Sequence, residues 1–251
     1  MLILLVACES TQPESYTRIN YYETIPIFDL NPPVNWTYYT GRIYLSKNIT
    51  YDSLGNKNIK NNVVGLLYSE SRSYFDGGML QVDSISIPLV SVEKIYGYKT
   101  YSADIFSFGK GYFLDTSNFS FGEFTHKFYL SGVSYFQGFN AEVPAMKDQP
   151  TITSHSNLSK IVSTDSLVVT WESIDTNLNY RLLVSNGNKR FVTYGANKAT
   201  AVIPQAYMNY LGKGNIKMEL VLGKYTTQMT DTRNYNVCAV FTSETLNLIS
   251  E

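Results

Sequence analysis

The chain has 251 residues, 44% hydrophobic and 16% charged, so it can bury a sizeable core and is neither a disordered chain nor a disulfide-stapled miniature. Lys and Arg number 20 against 21 Asp and Glu, a net charge of −1, which provides no positive field for a phosphate backbone. We therefore expect no nucleic-acid partner. The 21 Tyr and 13 Phe favour strands with many amphipathic positions.

The first eight residues form an apolar run that ends at a cysteine. Seven apolar residues are too few to span a bilayer, which needs about 20 in a helix, so the run is typical of the end of a signal peptide. The segment Leu5-Val6-Ala7-Cys8 resembles the lipobox of bacterial lipoproteins. That resemblance implies cleavage before Cys8 and lipidation of its sulfur. The alternative is an apolar N-terminus that packs as an edge strand.

The lipobox resemblance also implies a cellular address. Residues 1–7 would be the remnant of the signal peptide, and residues 8–20 the lipidated cysteine and a polar tether. Two or three acyl chains on Cys8 would give stable membrane anchoring where one chain is marginal. We expect an outer-membrane lipoprotein of the bacterial cell envelope. It would lie on either the periplasmic or the cell-surface face of that membrane.

Residues 21–147 are predicted to form an aromatic-rich β-sandwich. No segment of twelve residues shows the 3.6-residue apolar period of a helix, whereas period-two segments are frequent and are separated by Gly, Asn, Asp and Ser. The predicted strands are Thr37 to Leu45, Val63 to Tyr68, Met79 to Ile87, Val90 to Tyr98, Phe124 to Leu130 and Tyr135 to Val143.

Residues 148–251 are predicted to form a second, immunoglobulin-like β-sandwich. Two prolines and a loss of aromatic residues mark a boundary near residue 147. The predicted strands are Asp165 to Glu172, Leu178 to Ser185, Lys189 to Tyr194, Ala199 to Ile203, Ile216 to Leu222 and Tyr235 to Thr242. Asn186-Gly187 predicts a hairpin turn, and Gln205 to Leu211 is the only short helix candidate. The fold class is therefore all-β, with two sandwich domains.

Three segments of the C-terminal half carry a family resemblance. Leu167-Val-Val-Thr-Trp171, followed by Tyr180-Arg-Leu-Leu-Val184, resembles the early strands of fibronectin-type-III-like modules. The segment from Tyr235 to Ala239 is similar to a late strand of that fold. Taken whole, the chain resembles Bacteroidota lipoproteins that combine an N-terminal β domain with a C-terminal immunoglobulin-like domain.

The sequence offers little catalytic or metal-binding chemistry. General-base catalysis usually needs a positioned histidine, and the chain has only His126, expected at a core edge or across strands, and His155, expected in a solvated loop. Asp175 begins a segment like a calcium loop, but Tyr180 occupies the position that needs glycine. Cys238 is expected to be a small buried apolar residue. We therefore expect no enzyme activity, no metal site and no cofactor.

An aromatic tract between residues 96 and 139 is the remaining candidate for function. Exposed rings beside Asn, Asp and Lys could hold a sugar or a peptide strand, and the alternative is that the rings fill the core. The candidate ligand-binding residues are Tyr96, Tyr98, Tyr101, Tyr112, Tyr129 and Tyr135.

The sequence thus predicts a lipid-anchored binding or adhesion module with a glycan or protein ligand. One alternative is a fimbrial-type subunit that assembles by strand donation. A second alternative is a glycoside-active enzyme, which would need two carboxyl groups roughly 5–9 Å apart in one cleft.

Overall fold

The structure is a computed structural model that describes residues 39–67, 75–91, 110–115, 119, 124–146, 151–173, 175, 177–229 and 235–251. These residues form an all-β protein with one short helix, as the sequence predicts. The elements are β1 (Tyr39–Tyr51), β2 (Lys57–Leu67), β3 (Leu80–Val82), β4 (Ile85–Ile87), β5 (Leu89–Ser91), β6 (Lys110–Asp115), β7 (His126–Val133), β8 (Phe136–Val143), β9 (Thr151–Ile152), β10 (Lys160–Ile161), β11 (Leu167–Glu172), β12 (Asn179–Asn186), β13 (Lys189–Ala196), β14 (Thr200–Ile203), α1 (Gln205–Leu211), β15 (Gly214–Met229) and β16 (Tyr235–Ser250).

One large sheet runs through the molecule. Its strand order is β13-β12-β15-β16-β1-β2-β6-β5, and β10 also pairs with β16. Two smaller sheets complete the described strands, one of order β4-β3-β7-β8 and the other of order β14-β11-β9.

The C-terminal half forms the predicted immunoglobulin-like sandwich. The sheet β14-β11-β9 is combined with strands β13, β12, β15 and β16 of the large sheet, giving seven strands in two sheets. Alternation along β11 buries Leu167, Val169 and Trp171, and the Trp171 ring lies 5.1 Å from the ring of Tyr180 on β12. This pair of rings is the centre of the C-terminal core.

The N-terminal half forms a second sandwich with the sheet β4-β3-β7-β8. Its inner residues alternate with exposed ones, so that Leu80, Val82, Phe128, Leu130 and Val143 are buried. The large sheet contributes Ile43 and Leu45 from β1 and Val63 and Leu67 from β2 to the same core cluster. Burial of this alternating set fixes which face of the four-stranded sheet points to solvent.

The two sandwiches share strands. β1 pairs in parallel with β16, from Tyr39 opposite Tyr235 to Ile49 opposite Glu244, and β15 and β16 are 16 residues long. The predicted boundary near residue 147 separates the strands of the two small sheets, whereas the large sheet takes strands from both sides of it. The sequence pattern carries no sign that the two sandwiches share a sheet.

Three local predictions need correction. Met79 to Ile87 is not one strand but the hairpin β3-β4, because Asp83 and Ser84 both have positive φ (50° and 67°) and reverse the chain. The hairpin after β12 closes one residue later than predicted: Asn186 pairs with Lys189, and Gly187 (φ 56°) begins the loop. β15 and β16 extend well beyond the predicted ends.

The helix Gln205–Leu211 is confirmed at its predicted bounds and buries Met208 and Leu211. No helix in the part of the chain that the structure describes is long and apolar enough to cross a membrane.

Candidate functional site

The predicted site residues divide into three groups. Cys8, Tyr96, Tyr98 and Tyr101 lie outside the described residues, so their proposed roles stay predictions. Tyr112 lies in the core, and Tyr129 and Tyr135 lie on the surface.

Tyr112 is a core residue, which corrects its assignment to a ligand surface. It is 1% exposed on β6, and its hydroxyl donates to the carbonyl of Gly78 at 2.6 Å while accepting the N–H of Gly77 at 2.9 Å. Burial is the main cause that raises the pKa of Tyr112. The residue therefore ties the segment before β3 to the large sheet and is not available to a ligand.

Tyr129 lies at the centre of the solvent-facing side of the four-stranded sheet. On β7 it alternates with the buried Phe128 and Leu130, and its side chain is 36% exposed. Gln81 on β3 is directly opposite it on one side, and Asn140 on β8 is directly opposite on the other. Directly opposite residues share a face of a sheet, so these three side chains form a line.

The line continues to the edge strand β4. Ser86 is directly opposite Gln81. The Gln81 Nε2 donates to the Ser86 hydroxyl oxygen at 3.4 Å. We call the four residues Ser86, Gln81, Tyr129 and Asn140 the tyrosine–amide row. It crosses all four strands of the sheet and consists of one aromatic ring, two amides and one hydroxyl.

On one side, the row is bordered by a pair of opposite charges. Lys127 and Glu142 face each other on β7 and β8 with their charged atoms 3.8 Å apart, and both side chains are largely exposed. On the other side, a Cβ at Gly138 would lie 2.4 Å from backbone atoms of Leu130 and Ser131, so this position admits no side chain next to Tyr129.

The β3-β4 hairpin that carries Gln81 and Ser86 is held by hydrogen-bond contacts of the Asp83 carboxylate. Asp83 Oδ2 lies 2.6 Å from Nδ1 of His126, whose side chain is fully buried, and Asp83 Oδ1 accepts the Lys127 N–H at 2.8 Å. The Asp83 N–H donates to the Lys127 carbonyl at 2.9 Å. These bonds offset the cost of two positive φ angles outside glycine. His126 is therefore a cross-strand core residue, as predicted.

Tyr135 extends the exposed aromatic surface at the β7-β8 turn. Its side chain is 71% exposed, its hydroxyl donates to the Asp76 carbonyl at 3.3 Å, and its ring lies 6.0 Å from that of Phe75. The Phe75 ring also lies 5.2 Å from Phe136. Met79, 48% exposed, follows the Asp76 turn, and its N–H donates to the Ser131 hydroxyl at 2.8 Å.

The other candidate groups do not form a site. His155 lies in a loop, where its Nδ1 is 2.7 Å from the Ser154 hydroxyl, and burial lowers its pKa. Asp175 binds Lys224 at 2.8 Å, and Cys238 is a buried free thiol, as expected, whose pKa is raised by burial. In the described ranges no three His, Cys, Asp or Glu side chains are grouped so as to hold a metal ion.

The sequence predicted the two exposed rings but not their polar neighbours. Nothing in the local sequence indicates that Gln81, Ser86 and Asn140 lie beside Tyr129, because local patterns do not show which strands are adjacent. The available signal was alternation at Gln81, which lies between the core residues Leu80 and Val82.

No protein-family model and no curated protein matches the chain. Among solved structures it is similar to CbhA fibronectin(III)-like modules of Clostridium thermocellum, with 10% identity, a TM-score of 0.21, and coverage of 80% of this chain and 94% of that one. The chain is also similar to a Ca²⁺-stabilized adhesin that helps an Antarctic bacterium bind ice, with 8% identity and a TM-score of 0.24. That match covers 85% of this chain and 50% of the adhesin chain. A 1.5-MDa bacterial ice-binding adhesin matches with 9% identity and a TM-score of 0.21, and the match covers 83% of this chain and 65% of that one. None of these similarities assigns a function to this chain.

Proposed function

We propose that this protein is a non-enzymatic binding or adhesion module of the bacterial cell envelope, anchored through lipidated Cys8. Its ligand, a glycan or a protein, binds the exposed face of the four-stranded sheet. The immunoglobulin-like half then serves as a spacer or docking element.

The observation that carries this proposal is the position of Tyr129. It is a large side chain that its strand register turns outward, and the outward residues directly opposite it on the two neighbouring strands are the amides Gln81 and Asn140. Tyrosine with neighbouring hydrogen-bonding groups is a composition that recurs in binding surfaces, because the ring supplies contact area at a low entropic cost.

The anchor supports the same proposal from a separate part of the chain. A lipidated Cys8 would hold the protein on a membrane, and the polar residues that follow would let the folded part stand away from it. The location in the outer membrane, on either face, is part of the proposal.

The test uses the full chain with Cys8→Ser, so that the protein is soluble, on arrays of glycans and of purified surface proteins. We expect specific binding to at least one arrayed molecule, and loss of that binding when Tyr129 and Tyr135 are both replaced by Ala. Retained binding in the double variant would place the ligand surface elsewhere. If light scattering shows that the protein forms polymers and no arrayed molecule binds it, assembly by strand donation is favoured instead.

Lipidation is tested separately from binding. In a bacterial host that processes lipoproteins, wild-type protein should incorporate labelled palmitate and partition into detergent, and Cys8→Ala should do neither. Unchanged labelling of the Cys8→Ala variant would overturn the anchor.

A further inference from the structure

We infer that the ligand of the exposed face is an uncharged carbohydrate chain, stacked on Tyr129 and hydrogen-bonded by the amides and hydroxyl of the tyrosine–amide row. This inference rests on the proposed function and narrows its ligand to one chemical class.

The first argument is the alternation of contact types along the row. A sugar ring has a face of C–H groups and a rim of hydroxyl groups, so it needs an apolar surface bordered by hydrogen-bonding groups. Tyr129 provides the ring, and Gln81 and Asn140 lie one strand away on either side, a spacing of roughly 4.8 Å. Both sides of a stacked sugar ring would therefore meet an amide.

The second argument is the donor and acceptor inventory of the row. Each carboxamide carries a carbonyl acceptor and an NH₂ donor, and each sugar hydroxyl can also donate and accept. The Gln81 NH₂ group lies 3.4 Å from the Ser86 hydroxyl oxygen, so these two polar side chains lie side by side on the face. Neighbouring hydroxyls of one sugar can bind an amide through both of its groups.

The third argument is the charge of the face. Lys127 and Glu142, two residues along β7 and β8 from the row, form a pair of opposite charges. The Asp83 carboxylate is hydrogen-bonded to His126 and to the Lys127 N–H. The row itself has no ionisable group other than the phenol of Tyr129. An anionic or cationic ligand would gain no complementary charge here, whereas a neutral polysaccharide needs none.

The fourth argument is size. β3 and β4 have three residues each, so the part of the face that is four strands wide measures roughly 10 Å by 20 Å. A stable protein interface buries about 800 Å² on each partner around an apolar centre. The row is too small and too polar for that, and it suits a ligand one chain wide.

The experiment is affinity gel electrophoresis of the Cys8→Ser full chain in gels that contain hydroxyethyl cellulose, xylan, mannan, pullulan or dextran sulfate. We expect retardation by at least one of the four neutral polymers and none by the sulfated one. Tyr129→Ala should weaken that binding by about tenfold or more, because it removes the stacking surface. Tyr129→Phe keeps the ring and should stay within about threefold of wild type.

Matched variants control for nonspecific damage. Tyr194→Ala removes a tyrosine of nearly equal exposure, 38%, on β13 at the far edge of the large sheet, and should leave binding unchanged. Asn140→Ala should weaken binding by roughly fivefold, the loss of one or two hydrogen bonds. Gln137→Ala, which replaces an exposed amide of the same strand on the opposite face, should not weaken it.

The outcomes separate the inference from the function on which it rests. Wild-type binding to an arrayed protein that is lost in Tyr129→Ala, without retardation by any neutral polymer, overturns the carbohydrate inference and leaves the proposed function standing. Retardation by dextran sulfate alone, or equal retardation of wild type and Tyr129→Ala, also overturns it. Binding to no polymer and to no arrayed molecule overturns both.

Discussion

The Tyr51 hydroxyl donates a 2.8 Å hydrogen bond to Glu244 Oε1, and the other carboxylate oxygen of Glu244 accepts the Ile152 N–H at 2.8 Å. Glu244 is 5% exposed in the middle of β16, between Ile49 of β1 and Leu220 of β15. Tyr51 ends the first strand of the N-terminal sandwich, and Ile152 lies in β9 of the C-terminal one. One buried carboxylate therefore joins the two sandwiches at their shared strands.

Replacing Glu244 should destabilise the whole protein. Glu244→Ala leaves a buried N–H and a hydroxyl without their acceptor, at a cost of roughly 2–4 kcal/mol in the free energy of unfolding. Glu244→Gln should cost less, because its carbonyl can still accept the Ile152 N–H. Glu142→Ala, at an exposed carboxylate, is the control and should change stability by less than about 0.5 kcal/mol. Urea unfolding measures all three, and equal stability of Glu244→Ala and wild type would refute the joining role.

The shared strands also predict cooperative unfolding. β15 and β16 belong to the sheet that takes strands from both halves, and the buried apolar residues of both halves form one core cluster, so one sandwich cannot unfold without exposing the other. In a Trp36→Phe background, tryptophan fluorescence reports on Trp171 in the C-terminal half, and far-UV circular dichroism reports on both halves. We expect the two urea transitions to coincide. Two midpoints that differ by more than the error of the fit would show that the sandwiches unfold separately.

Alkaline pH should destabilise the fold. Burial, together with the hydrogen bond and charge of Glu244, raises the pKa of Tyr51 from 10.0 to about 12. The folded state therefore holds this proton more tightly than the unfolded state, so the stabilisation is complete below pH 10 and is lost between pH 10 and about 12. Burial raises the pKa of Tyr112 and Cys238 in the same direction.

Tyr51→Phe isolates the contribution of that one residue. Its free energy of unfolding should be lower than that of wild type at pH 8, and it should fall less steeply between pH 10 and 12. Identical slopes for wild type and variant would show that Tyr51 makes no contribution to the alkaline loss.

The Asp83 contacts predict a stability requirement at the β3-β4 hairpin. Asp83→Ala loses both carboxylate contacts and places alanine at φ 50°, so we expect a loss of roughly 2–4 kcal/mol. Asp83→Asn should lose less, because asparagine tolerates positive φ and can still accept the Lys127 N–H. Asp165→Ala, at an exposed carboxylate in another turn, is the thermal-melting control. A melting temperature of Asp83→Ala equal to that of the control would contradict this account.

The Cys238 thiol should be unreactive in the folded protein. It is 0% exposed, and burial raises its pKa, so both access and thiolate formation are suppressed. In a Cys8→Ser background, labelling by a disulfide reagent should be slower than that of a small free thiol by at least about a hundredfold, and should become rapid in denaturant. Rapid labelling of the native protein would show that β16 opens.

Local patterns predicted the strands well but not how distant strands associate. Alternation fixed the buried face of β11, with Trp171, and the apolar period of Ile216 to Leu222 identified the core side of β15. The parallel pairing of β1 with β16 joins residues that are nearly 200 positions apart, and neither strand carries a signal for its partner. The domain boundary near residue 147 was drawn from composition, which reports on loops and not on shared sheets.

The candidate site was predicted in part for the same reason. The aromatic tract pointed to Tyr129 and Tyr135, which are exposed, and also to Tyr112, which is buried and bonded to Gly77 and Gly78. The row of Gln81, Ser86 and Asn140 around Tyr129 depends on the register of three strand pairs, of which the sequence shows none. The β3-β4 turn was missed because Asp83 and Ser84 adopt positive φ without glycine.

The central claim is that the ligand binds on the exposed face of the four-stranded sheet, and site-specific blocking tests it most directly. Two variants in the Cys8→Ser background each place a thiol on an exposed strand position. Ser86→Cys lies in the row, and Asn215→Cys lies at the start of β15, away from the row. Each variant is labelled with a bulky maleimide and its affinity is measured for the array molecule that binds wild type best. The account predicts that the label at position 86 abolishes binding and that the label at position 215 leaves it unchanged. Equal binding of the two labelled proteins would contradict it.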